Sequence, residues 1–214
     1  MGANKARIMI RKSLVMMWLL VLLSAVIALF WYNDWLYQLP TPVPENYKPV
    51  KTGTVIALQD RLALPANKPV LLHFFNPDCP CSRFNKPHFK ALVRQFGQQV
   101  AFVVVVMSTK TYSVQQIQEK IGMPLPVLFD PSVAALCGVY STPQAALLDA
   151  KHRLFYRGNY NRSRYCTDEK TSYAKMALTE LLRNKARVNL DSLALTSYGC
   201  RVSYCKNDSI RSEN

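Results

Sequence analysis

Cys79 and Cys81 stand one residue apart, between the β-type apolar run Val70-Leu-Leu-His-Phe-Phe75 and a helix-type run that follows it. A helix start offers unpaired N–H groups and a partial positive charge, which stabilise a thiolate and lower a cysteine pKa below its free value of about 8.5. Such a thiolate attacks a disulfide sulfur and forms a mixed disulfide that a second thiol resolves. Cys79 is the expected attacker and Cys81 the expected resolving thiol, with Cys166 as the alternative. A ring closed through Pro80 alone stores strain and is easily reduced, which suits exchange better than a structural bridge. His73, with an unperturbed pKa of about 6.5, is the expected proton acceptor during resolution. Asp78 opposes the thiolate, and Arg83 on the other side offsets that charge. The chemistry requires residue 79 to be accessible.

Six cysteines in all, outside a membrane, fit a compartment in which disulfides persist. Sequence alone cannot choose among their pairings. Cys137, in a small-residue helical stretch, reads as a buried hydrophobe, and Cys200 with Cys205 as a local bridge in the tail. A different chemistry is also open to soft thiolates: Cys79 and Cys81 with His152 or His88 would suit Cu(I). No nucleotide-binding glycine loop occurs among the seven glycines, so no organic cofactor is expected, and no metal site is assigned.

The elements that position the cysteines follow from periodicity. Residues 70–75 are short and apolar enough for a buried strand. Apolar residues at 84, 89, 92, 93 and 96 space a helix, interrupted by Pro87 and closed by Gly97. Residues 100–107 are β-branched and apolar, a central strand covered on both faces. A short helix over 113–121 ends at Gly122, a strand over 127–130 precedes a helix over 132–137, and 144–149 with 153–157 form a hairpin. An amphipathic helix over 173–182 closes the domain, and residues 189–214 read as a polar tail. Strands alternating with helices imply a largely parallel sheet with helices on both faces.

Residues 13–32 carry no charge and are about long enough to span a bilayer as a helix. Lys5, Arg7, Arg11 and Lys12 precede them and no acidic residue occurs before Asp34, which keeps residues 1–12 cytoplasmic and sends the rest outside. The apolar run is too long for a cleaved signal and lacks a small-x-small site after it, so an uncleaved anchor is expected. Prolines at 40, 42, 44 and 49 make residues 33–49 a stiff spacer holding the domain, residues 50–188, off the bilayer. The net charge is +14, of which +10 lies outside the N-terminal segment. Basic residues are scattered without a nucleic-acid motif, so a solvated basic surface beside a membrane is expected and nucleic acid is not.

A cysteine motif after the first core strand, with Thr142-Pro143 just ahead of the hairpin, resembles the thioredoxin-like superfamily over residues 50 to about 185. The likeness is closest to membrane-anchored periplasmic redoxins of the thiol-disulfide interchange type. It implies an α/β thioredoxin-like fold, a central mixed β-sheet flanked by helices, behind an N-terminal transmembrane helix. It also implies that His73 takes the family's buried aspartate position, Phe74 its core Phe, Cys79 its nucleophile and Pro87 its helix-kinking proline. Thr142 and Pro143 take the cis-proline step that pairs with a substrate peptide. The departure is at Cys79-Pro80-Cys81-Ser82, where Ser82 fills the resolving-cysteine position of Cys-x-x-Cys. The segment Arg157-Gly-Asn-Tyr-Asn-Arg-Ser-Arg-Tyr-Cys166 has no counterpart in ordinary thioredoxins and suggests an uncharacterised bacterial branch. A peroxiredoxin is disfavoured, since Asn76 and Leu72 stand where it needs Thr or Ser and Pro. The resemblance thus implies a periplasm-facing, single-pass inner-membrane thiol-disulfide oxidoreductase acting on protein thiols and disulfides. The alternatives are a copper-binding chaperone of the same fold or a redox-inert assembly factor.

Overall fold

Two units make up the computed structural model, Met1–Leu39 and Pro40–Asn214, and it describes residues 2–58, 61, 65, 67–162 and 171–201. The first unit is one helix, α1 (Gly2–Gln38), whose stretch Met9–Asn33 has mean hydropathy 2.6 and is long and apolar enough to cross a membrane.

In the second unit, β1 (Val70–Phe75) is buried at every residue and sits at the centre of a five-stranded sheet. β2 (Ala101–Val106) pairs parallel to it, and β3 (Val127–Leu128) pairs parallel to β2. β5 (Gln144–Leu148) flanks β1 on the other side in antiparallel register, Val70 facing Leu148 and Phe74 facing Gln144, and β6 (Leu154–Gly158) completes the hairpin. The order is β3-β2-β1-β5-β6, the mixed sheet of the thioredoxin-like fold. The hairpin makes half of its pairings antiparallel, which alternation of strands and helices alone does not foretell.

Alternate residues of β1 and β2 feed two cores, as strand geometry requires. Leu71, Phe75, Phe102, Val104 and Val106 pack under α2 (Pro80–Phe96), α3 (Val114–Ile121) and α5 (Tyr173–Leu182). Val70, Leu72, Phe74, Val103 and Val105 pack under α4 (Ser132–Cys137) and residues 56 and 58. Cys137 is fully buried, and burial pushes its thiol up to about 12, so it is the inert core residue that its setting suggests. α3 opens with a capping box in which Ser113 Oγ accepts from the Gln116 N–H at 3.1 Å and Gln116 Oε1 accepts from the Ser113 N–H at 2.9 Å.

α2 begins four residues before its first apolar position. Cys79 is its N-cap and Pro80 stands in its first turn, where a fixed φ and a missing N–H are no handicap. Its buried face runs through Cys81, Ser82, Asn85, Phe89, Leu92 and Phe96, a helical stripe whose first turn is polar or sulfur-bearing and therefore invisible to an apolar count.

Two expectations about the ends of the domain need correction. The proline-rich segment is not a free spacer: α1 continues through Gln38, and Thr41 and Pro44 are buried against the domain. The Thr41 N–H donates to Ser197 O at 2.7 Å, and Tyr47 O–H donates to Gly138 O at 3.0 Å. Residues 189–201, expected to be part of a polar tail, are docked on the domain, and residues 202–214 of that expected tail lie outside the described residues. A 3-10 turn (Ser192–Ala194) buries Ala194 completely in the first core, and a short strand, β7 (Cys200–Arg201), pairs antiparallel with β4 (Ser141–Thr142). Single apolar residues at 190, 193 and 194 dock there without any sustained period, which is why the sequence reads as polar coil.

Phe89 links α2 to the sheet, stacking on His73 at 4.0 Å between ring centroids and meeting Phe102 edge-on at 6.0 Å. Phe89→Ala is expected to lower the unfolding free energy by about 3–5 kcal/mol. Urea denaturation of the detergent-solubilised chain measures it, and a loss under about 1 kcal/mol would contradict the packing described.

Candidate functional site

The chain leaves β1 through Asn76-Pro77-Asp78 and enters α2 at Cys79. Three hydrogen bonds fix that turn: Asp78 N–H to Asn76 Oδ1 at 2.9 Å, Cys79 N–H to Asn76 O at 3.1 Å, and Asn76 N–H to Ser82 Oγ at 3.2 Å. Ser82, in the slot of a resolving cysteine, is buried and serves to close the turn. The Asp78 carboxylate accepts from Tyr112 O–H at 2.8 Å, Ser108 Oγ at 3.0 Å and Lys110 Nζ at 3.1 Å. The Tyr112 hydrogen bond leads the causes that hold this carboxyl below its ordinary range. The charge beside Cys79 is therefore met by Lys110 across the turn, where the sequence suggests Arg83.

Cys79 is disulfide-bonded to Cys200, with Cα atoms 6.4 Å apart, and Cys81 is a free thiol. The sulfurs of Cys79, Cys81 and Cys200 all lie within 4.8 Å of one another. This corrects both expected pairings, Cys79 with Cys81 and Cys200 with Cys205. Cys200 arrives on β7 from outside the helix and makes the bond across 121 residues of sequence, with the Cys81 sulfur close by. Cys205 and Cys166 fall outside the described residues. The expected accessibility of residue 79 is also corrected: Cys79 is 3% exposed and Cys81 9%, with β7 laid beside them.

Thr142 and Pro143 are where the resemblance puts them, joined by a cis peptide bond. In β4 and β7, Thr142 faces Cys200 and Ser141 faces Arg201. The approach is tight enough that a Cβ on Gly199 would stand 2.2 Å from Thr142 O, so only glycine fits there without a shift. Gly199 O accepts from Thr41 Oγ1 at 3.0 Å, and Gln144 Nε2 donates to Ser197 Oγ at 2.7 Å. Cys200 is the site residue that sequence reasoning missed, and the one signal for it was the glycine directly before it.

His73 lies at the centre of β1, wholly buried. Its Nδ1 bonds the Tyr160 hydroxyl at 2.7 Å, and its Nε2 is buried with no hydrogen-bond partner among the described residues. Burial lowers its pKa from 6.5 to about 3, so the ring is neutral at working pH and does not store the proton expected of it. The Arg157 to Asn161 stretch now has a structural role. Tyr160 tethers the histidine, and Asn159 holds the C-terminal segment, its Nδ2 donating to Leu193 O at 2.8 Å and its N–H to Ala194 O at 2.9 Å. A copper site using histidine is not assembled. His152 sits in the β5–β6 turn, at the far end of the sheet from Cys79, and His88 Nε2 bonds Ser172 Oγ at 2.9 Å. The only thiophilic ligand set among the described residues is the three sulfurs themselves, and only after the disulfide is reduced.

A family model described as a domain of unknown function (DUF6436) matches residues 50–207. The chain belongs to that family. The fold is thioredoxin-like, and the family match extends well past residue 188, consistent with a docked C-terminal segment. No curated protein matches the chain in sequence. Among solved structures, a hypothetical protein of Sinorhizobium meliloti 1021 is similar at 21% identity and TM-score 0.58, over 72% of this chain and 95% of that one. An uncharacterized conserved protein from Geobacillus kaustophilus is similar at 21% identity and TM-score 0.55, over 75% and 91%. The thioredoxin domain of a thiol-disulfide oxidoreductase from Bacteroides vulgatus matches at 17% identity and TM-score 0.44, over 57% and 98%. The first two are likenesses of fold.

The depressed His73 pKa has a consequence for stability. Between pH 6.5 and about 3 the unfolded chain binds a proton at this residue that the folded chain does not. Its contribution to stability is therefore complete above pH 6.5 and lost as pH falls, at up to about 1.4 kcal/mol per pH unit. In His73→Leu that slope should be missing. Unfolding free energies measured from pH 7 to 4 check it, and parallel curves for the two proteins would contradict it.

Proposed function

We propose that the chain is a thiol-disulfide oxidoreductase that acts on protein disulfides through Cys79, with Cys81 as the thiol that resolves the substrate's mixed disulfide. One observation carries it: three sulfurs lie within 4.8 Å of one another at the N-cap of α2, two of them joined in a disulfide and the third a free thiol, beside the Thr142-Pro143 step. At the N-cap, backbone N–H groups of the first turn are unpaired and favour a thiolate leaving group. Thr142 offers its backbone as a strand edge, and Thr142 with Pro143 would bind an extended substrate segment there. Cys81, in the first turn, attacks Cys79 Sγ in the mixed disulfide; the Cys79–Cys81 bond forms and the substrate leaves as a thiol.

The location follows from the first unit. α1 anchors the chain in a bacterial inner membrane, and Lys5, Arg7, Arg11 and Lys12 ahead of it favour an N-terminus in the cytoplasm and the thioredoxin-like domain in the periplasm. That compartment lets the Cys79 disulfide persist.

Cys79→Ser should abolish reduction of insulin disulfides, while Cys81→Ser should retain attack and accumulate a mixed disulfide visible as a heavier band on a non-reducing gel. Equal activity of both variants and the wild type would remove the assignment. If the reduced Cys79 instead resists alkylation at neutral pH, the chain is a redox-inert assembly factor. Stoichiometric Cu(I) binding with three thiols protected and no exchange would make it a copper chaperone.

A further inference from the structure

The C-terminal strand occupies the place that a substrate strand would take. β7 runs antiparallel to β4, its Cys200 faces Thr142, and its sulfur is bonded to Cys79. Resting on the oxidoreductase assignment above, we propose that Cys200 is a third redox-active thiol of the site. The C-terminal segment is then an internal substrate that takes the bond to Cys79 away from Cys81 and closes the groove in the resting oxidised state.

Four features on separate elements support a built docking site. Gly199 permits an approach that any side chain would block at Thr142 O. Thr41, from the segment before the domain, holds both Ser197 O and Gly199 O. Gln144, directly after the cis proline, holds the Ser197 hydroxyl. Asn159 fixes Leu193 and Ala194. The segment is thus secured through Ser197, and only a few residues separate that anchor from Cys200. Released from Cys79, the Cys200 thiol stays close to the site.

The closing step is an exchange with no external oxidant. Cys200, as thiolate, attacks Cys79 Sγ in a Cys79–Cys81 disulfide. The Cys79–Cys200 bond forms, the Cys79–Cys81 bond breaks, and Cys81 leaves as a thiolate that takes up the proton Cys200 gave to solvent. One disulfide and one thiol stand on each side. Opening is the reverse, with Cys81 attacking Cys79 Sγ and Cys200 leaving. A substrate strand and β7 compete for one backbone edge, so while substrate is bound Cys200 is displaced and Cys81 remains the resolving thiol.

A short tether keeps a competitor at an effective concentration in the millimolar range, so at a substrate concentration of about 10 µM the closed state should slow exchange by roughly ten- to a hundredfold. The test uses the full chain in detergent, oxidised, with free thiols alkylated before proteolysis and mass spectrometry. Wild type should yield a peptide pair linking residues 79 and 200, with Cys81 alkylated. Cys200→Ser, and Gly199→Val with every cysteine kept, should instead link 79 to 81. Both variants should oxidise a peptide dithiol at about 10 µM faster than wild type by that factor. A wild-type link between 79 and 81 with Cys200 alkylated would overturn the proposal, as would active variants no faster than wild type. Absence of exchange in all three proteins would overturn the oxidoreductase assignment and this proposal together.

Discussion

An exposed backbone edge beside a reactive sulfur is the constraint on which the site is built. Ser141 and Thr142 lie outside the five-stranded sheet, and their peptide groups need a partner of their own. An open edge is a template for any extended chain. This protein fills it with residues 200 and 201 of its own C-terminal segment. Gly199, Thr41, Gln144 and Asn159 all make sense as the means by which that segment is brought in and held. The disulfide to Cys79 follows from the same geometry, because the residue opposite Thr142 is a cysteine.

Proton movement at the site is simplified by the surroundings. The carboxylate nearest to Cys79 in sequence, Asp78, is held by three donors and kept charged, and its role is to tie residues 108–112 to the start of α2. His73 is buried, neutral and fixed by Tyr160. Neither is placed to act as a base that cycles near neutral pH. Exchange among three sulfurs needs none, since each attack by a thiolate releases another, and the proton count changes only when a thiol first ionises. A neutral ring in the buried aspartate position is also compatible with a dry core between α2 and the sheet, where a charged group would be strongly penalised.

The sheet was legible because its signal is local. The apolar run of β1, the β-branched run of β2, the hairpin around the Ala150-Lys-His turn and the stop at Gly122 each announce themselves within a few positions. The position of Cys79 was legible for the same reason, as it sits where strand gives way to helix. What escaped were non-local contacts. Nothing within a window of ten residues says that Thr41 will meet Gly199, or that Cys79 will pair across 121 residues. Cys81 looked like the partner because it was near in sequence, yet the bond runs to Cys200, on a strand that only the folded chain brings to Cys79. The polar composition of residues 189–201 concealed their docking, since they are held mainly by backbone carbonyls that accept from Asn159 and Thr41.

The close approach at Gly199 also decides who wins the groove. Any residue other than glycine ahead of a substrate cysteine would put its Cβ 2.2 Å from Thr142 O if it entered at the same depth and register. It has to stand off, lengthening the backbone hydrogen bonds to Thr142 and moving its sulfur outward from Cys79. The C-terminal strand therefore fits the edge better than most protein segments can, in addition to being tethered beside it. The segment that follows α1 and the one that ends the described chain meet at this edge, where Thr41 bonds both Ser197 O and Gly199 O.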